Sequence, residues 1–209
     1  MKPNFPFIFL IIILFNLDLN AQVNTEMKFP NVKEIKTLEA SMKGVLEGSA
    51  ELILNFNPLE KDGKSRKTKG EIYKRPTSSF PLDLHVWYLF DQKAKPASVI
   101  IYNWGLYNPS FNANENVELL RELNKKEVEF VAHFNSLYQD FVQKHGDPLP
   151  TDTDIDEPHI LLKSCFWEKE DRFIKLKLEF TRKLNDFPGI GYQTNNFKIE
   201  VVVSSKAEI

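Results

Sequence analysis

Two stretches near the end of the chain alternate apolar and polar residues. In RFIKLKLEF, Ile174, Leu176, Leu178 and Phe180 alternate with Lys175, Lys177, Glu179 and Thr181, and in NFKIEVVVS the apolar set is Phe197, Ile199, Val201 and Val203. A period of two sends successive side chains to opposite faces, so each stretch predicts a strand with one packed and one wet face. HILLKSCFWE reads as a third strand just upstream. The links KED and KLNDFPGIGYQTN fit antiparallel neighbours, because a parallel pair needs a crossover that is usually helical.

The period lengthens in KKEVEFVAHFNSLYQDFVQKHGDP, where Val128, Val131, Phe134, Tyr138, Phe141 and Val142 fall on one helical stripe. Lys144 and His145 in its last turn, then Gly146 and Pro148, mark its end. NENVELLREL before it predicts another helical stretch, broken near Asn124. A further stripe runs through Val32, Ile35, Leu38, Met42, Val45 and Leu46, with Asn31 placed to cap it and Gly48 placed to end it. SAELILNFN then suggests a strand, and EKDGKSRKTKG, which has no apolar residue, predicts a solvent loop.

Between these lie LHVWYLF and SVIIYNWGL, two β-branched and aromatic runs around a polar, proline-bearing connection. They predict a hairpin, and since both alternating sets are apolar it should be covered on both sides, either at the centre of the sheet or under the N-terminal segment. The expected fold class is α+β: an antiparallel sheet of about five strands with one long helix, and an N-terminal helix, on one face.

The apolar run Phe7 to Phe15 has nine residues, against the roughly 20 needed to cross a bilayer as a helix. Lys2 before it and Asn20-Ala21 after it give the layout of a signal peptide over residues 1–21, with a mature start at Gln22. The short charged segment and the NAQ ending resemble bacterial leaders. The remaining 188 residues, 22–209, then form one globular domain with an N-terminal helical extension. The expected location is outside the cytoplasm, periplasmic or extracellular, with no transmembrane segment after processing. The order of a helix closing on Gly-x-Pro and leading into strands, over Val128 to Phe180, resembles small exported bacterial domains of unknown function, and that resemblance implies no activity.

Composition narrows the chemistry. A net charge of −2 gives no general field for nucleic acid. With one cysteine, Cys165, no intramolecular disulfide can form, and its setting in LLKSCFWE reads as a small buried residue. The four histidines are scattered: on one helix His133 and His145 would stand roughly 18 Å apart, so no metal site is expected. No G-x-S-x-G elbow and no dinucleotide fingerprint is present, and no catalytic residue or cofactor is expected. Trp87, Trp104 and Trp167 lie in apolar strands and read as core.

Two charged stretches remain as candidate contacts, one basic with Lys64, Arg66, Lys67 and Lys69, and one acidic with Asp152, Asp154 and Asp156. The acidic spacing matches the start of a calcium loop, but Glu157 stands where the turn glycine belongs and Lys163 where the bidentate glutamate belongs. These features point to an exported, non-enzymatic domain that binds a protein or an envelope polysaccharide or lipid. The alternative is a hydrolase of envelope polymers whose acid and base meet only in three dimensions.

Overall fold

The computed structural model describes residues 23–55, 65–77, 80–91, 96–105, 117–150, 154–183 and 196–206. Helix α1 spans Val32–Ser41; strands β1 to β4 span Val45–Asn55, Ser65–Arg75, Leu84–Asp91 and Val99–Gly105. Helices α2 (Val117–Asn124) and α3 (Glu127–His145) follow, then β5 (Ile155–Glu157), β6 (Ile160–Glu168), β7 (Arg172–Thr181) and β8 (Phe197–Ser205).

All eight strands form one antiparallel sheet in the order β1-β2-β3-β4-β8-β7-β6-β5. Two four-stranded meanders therefore meet at β4 and β8. The helical connection carries the chain from the centre of the sheet to its far edge, and the second meander returns to close against the first. This corrects the expected five-stranded sheet with one long helix: the described residues are mostly sheet, 48% of them in strands and 26% in helices.

Helix α3 lies on one face. Its buried residues are Phe130, His133, Phe134, Leu137 and Phe141, and the four apolar ones join Leu176, Leu178 and Phe180 of β7 and Ile199 and Val201 of β8 in one core. Each of these apolar side chains contributes about 1.5–3 kcal/mol when fully buried. The helix stops where Gly146 takes a φ of 81°, and the Gly146 carbonyl accepts a hydrogen bond from Trp167 Nε1 at 2.8 Å, tying the helix end to β6. The stripe is rotated from the expected one, because Val128 is 81% exposed.

Helix α1 begins at a capping box: Asn31 Oδ1 accepts from the amides of Lys33 and Glu34 at 3.0 and 3.1 Å, and Glu34 Oε2 accepts from the Asn31 amide at 2.8 Å. The helix was expected to run on to Gly48, yet it ends at Ser41. Lys43 adopts a left-handed φ of 56°, and Val45 and Leu46, 67% and 54% exposed, open β1 instead. Their helical spacing was coincidental. A second correction concerns the supposed loop EKDGKSRKTKG, whose later part forms β2, hydrogen-bonded on both sides to β1 and β3. Gly70 there is close-packed, since a Cβ on it would lie 2.0 Å from the Tyr88 carbonyl oxygen. The hairpin β3–β4 lies inside the sheet with strands on both sides, the first of the two expected placements. β7 and β8 present the expected faces, and Trp104 and Trp167 are core residues.

The first described residues are fastened to this frame. Val23 and Thr25 are buried, the Thr25 hydroxyl is 2.8 Å from His145 Nε2, and Arg172 Nη1 donates to the carbonyls of Thr25 and Met27 at 2.8 and 2.9 Å. The predicted leader, residues 1–21, lies outside the described residues. Among the described residues no helix is long and apolar enough to cross a membrane.

Candidate functional site

The register fixes which side chains point away from α3. Across β3, β4, β8 and β7 one row reads Trp87, Ile101, Val202, Lys175, and the next reads His85, Asn103, Glu200, Lys177. A third row reads Gly105, Lys198, Glu179. Opposed side chains in antiparallel strands have Cβ atoms about 4.5–5.5 Å apart, so each row is a line of touching neighbours.

Charges on this helix-free face form a ladder. Glu179 pairs with Lys177, and with Lys198 at 3.3 Å, while Lys198 also approaches Glu200 at 3.8 Å. Burial alone would raise the Glu179 carboxyl, but its bond from Lys177 and the charge of Lys198 more than offset this and hold it below the usual range. Lys175 differs. Burial, and then the charge of Lys177, pushes its ammonium below the usual lysine range, and among the described residues no carboxylate is within ion-pair reach of it.

Beside the ladder, His85 Nε2 lies 3.1 Å from Glu47 Oε2, and burial lowers the imidazole despite that carboxylate. Asn103 Oδ1 is buried with no hydrogen-bond partner among the described residues. It sits over Gly105, where an added Cβ would come within 2.6 Å of it. Toward β1 the face is apolar: Leu89, Val99 and Ile101 pack with half-buried Ala50, Leu52, Trp87 and Val202.

The charged stretches singled out from the sequence lie elsewhere. Lys64 and Asp152 fall outside the described residues, and Arg66 lies in β2 opposite Leu54. Lys67 pairs with Glu51, which Lys69 also approaches at 3.9 Å. Asp154 Oδ1 accepts the Ser164 amide at 3.0 Å, and Asp156 Oδ1 accepts from Arg182 Nη1 at 2.5 Å. Arg182 Nη2 also bonds Glu127 Oε1 at 2.6 Å, so these acids tie β5 to α3 and β7. β2 and β5 are six strand spacings apart, roughly 29 Å along a flat sheet at 4.8 Å each, so the two stretches do not make one contact zone.

Two clefts open among the described residues. One of about 440 Å³ lies between the segment Glu26–Phe29 and Arg172, whose guanidinium is already taken by two carbonyls and Asp171. The other, about 340 Å³, lies between Tyr138 and Cys165. Burial and the charge of Asp154 push the Cys165 thiol up to about 11, leaving it protonated and unreactive at neutral pH. His133 is sealed under α3 between Phe80 and Trp104, at ring distances of 4.6 and 4.7 Å. His159 is 3.4 Å from Glu157 at the surface. Among the described residues no group of three histidine, cysteine or acidic side chains is placed to hold a metal.

Lysines 175, 177 and 198 were legible only as the wet side of alternating strands; what distinguishes Lys175 from its neighbours is which carboxylates the register brings alongside. Comparison with protein-family models, with curated proteins and with solved structures gives no match.

Proposed function

We propose that the chain is an exported, non-enzymatic binding domain, acting in the periplasm or outside the cell, whose helix-free sheet face contacts a component of the envelope. One observation carries the reading: strands β8 and β7 bear a ladder of three lysines and two glutamates, and half-buried Val202 stands beside it in a row that runs on through Ile101 to half-buried Trp87 of β3. A tryptophan and an aliphatic residue bordered by charges have the make-up of a contact patch, apolar at the centre and polar at the rim. Hydrolysis of envelope polymers, the rival reading, asks for groups poised for proton transfer or attack. The Cys165 thiol and the His133 ring are both held away from such a role by burial.

The reading is tested by capture from envelope extract. The variant K177E/K198E, which inverts the ladder, should lose the captured component, whereas K67E/K69E should keep it. Loss in the second variant alone, or equal capture by both, would overturn the assignment of the face.

A further inference from the structure

The sheet ends differently at its two edges. β5 closes one side with three residues, and Arg182 bridges from its Asp156 to Glu127 of α3. β1 closes the other with eleven residues, about 36 Å of strand at 3.3 Å each. It carries no proline, lysine or arginine, the residues that commonly blunt a free edge, and its bulge lies toward one end, between Leu46 and Gly48. The Glu51 carboxylate is drawn back over β2 by Lys67 and Lys69. Val45, Leu46, Gly48, Ser49 and Glu51 are exposed, and a Cβ added at Gly48 would meet nothing within 4 Å.

The outer side of this strand is complementary to itself. Thr68 Oγ1 donates to the Leu52 carbonyl at 3.1 Å, so Leu52 turns its backbone toward β2, and by alternation Ser49 and Glu51 turn theirs outward. Set antiparallel to a second copy with Ala50 on the two-fold axis, Ser49 of each chain faces Glu51 of the other. Each such pair exchanges its amide and carbonyl groups, and the hydroxyl can donate to the carboxylate. Leu52 then stands opposite Gly48 of the second copy, where no side chain competes for the space. Continued past the bulge, the register sets Val45 and Leu46 against positions 54 and 53, which are leucine and isoleucine in the sequence. Centring the pair on Glu51 instead would oppose two carboxylates, which is unfavourable.

We propose that the β1 edge is occupied by β1 of a second copy of this chain, paired antiparallel about Ala50. The contact is isologous, joins the two sheets into one, and sets both α3 helices on one side and both helix-free faces on the other. A strand from another protein would have to bring a small polar residue to Glu51 and a bulky apolar one to Gly48, and β1 itself supplies both in register. The pairing is independent of what the helix-free face contacts.

Sedimentation equilibrium of the mature chain over roughly a hundredfold range of concentration tests it. Monomer should pass to dimer and to nothing larger, because pairing consumes the free edge. S49P removes an outward amide while sparing the bonds to β2, and should abolish the dimer. With Cys165 replaced by alanine, A50C should crosslink to a dimer on mild oxidation, since a self-opposed, non-hydrogen-bonded pair has Cα atoms about 4.5 Å apart, within disulfide reach. G48C, though more exposed, should not crosslink, since the two copies of position 48 stand four residues out of register, roughly 14 Å. In the unaltered protein the Ser49 and Glu51 amides should gain protection from hydrogen exchange as concentration rises, a readout that needs no variant to fold. A chain that stays monomeric throughout, protection that does not change with concentration, a dimer that survives S49P, or crosslinking of G48C as readily as A50C would overturn the proposal.

Discussion

Arg75 of β2 grips Glu39 of α1 through two hydrogen bonds, Nε to Oε2 at 3.0 Å and Nη2 to Oε1 at 2.6 Å, with the two side chains 2% and 1% exposed. Tyr88 of β3 completes the cluster, its hydroxyl donating to Glu39 Oε1 at 2.5 Å while accepting from Arg75 Nη2 at 3.1 Å. One buried pair thus fastens the N-terminal helix to two strands. Glu39→Ala would leave a guanidinium buried without its counter-charge and should cost about 3–5 kcal/mol in urea unfolding. Replacing both residues by methionine should recover most of that loss. A loss no larger for E39A than for an exposed control such as Lys36→Ala would show that the pair contributes little.

Gly44 serves the same pair from the turn after α1. A Cβ there would fall 2.1 Å from Glu39 Oε2, the atom that Arg75 Nε holds. Gly44→Ala should therefore displace the carboxylate and destabilise the chain by about 1–3 kcal/mol, and in the E39A background the same change should cost much less. A double-mutant cycle in chemical denaturation measures the coupling, and strict additivity would contradict it.

Acid should loosen the helix layer through His133. Burial alone lowers its imidazole to about 4, with Nε2 finding no hydrogen-bond acceptor among the described residues. The folded state keeps the ring neutral while the unfolded chain protonates near its ordinary value of about 6.5, so the contribution is complete above that pH. It is lost progressively as pH falls from about 6.5 toward 4, to a total of about 3 kcal/mol. His133→Phe should flatten this part of the stability-against-pH curve. A wild-type curve already flat between these limits would contradict the assignment.

Processing at the predicted site should leave the fold intact while a deeper truncation should not. A chain starting at Gln22 retains Val23 and Thr25 in the core and both carbonyls that Arg172 binds. A chain starting at Asn31 loses them and leaves a buried guanidinium short of two acceptors, at a cost of about 1.5–3 kcal/mol for each hydrogen bond to a charged group. Thermal unfolding of the two chains distinguishes these cases. Equal stability would contradict the anchoring role of residues 23–30.

What could be read from the sequence was what a single segment carries by itself. β7 alternates strictly, and β8 does so except at Val202, because one face is packed and the other wet, and the end of α3 is written in Lys144, His145 and Gly146. β2 has no such signature. SRKTKGEIYKR becomes a strand because β1 and β3 supply hydrogen-bond partners on both of its edges, with Thr68, Ile72, Tyr73 and Arg75 buried. The opposite error affected Val45 and Leu46, which continue a helical stripe in spacing, although the turn at Lys43 has already ended the helix. The pair Glu39–Arg75 spans 36 residues and the His145–Thr25 contact spans 120, separations at which local pattern carries no information. For the same reason Lys175 could be assigned to a wet face, while its lack of a carboxylate depends on strands whose pairing only the fold determines.

The central claim is that the sheet face opposite α3 is the contact surface. A photo-crosslinking residue placed at Lys177, and for comparison at exposed Val128 on the outer side of α3, tests it in intact cells of the native host. Adducts formed from position 177 and not from 128 are the predicted result. Adducts from 128 alone, or equally from both, would contradict it.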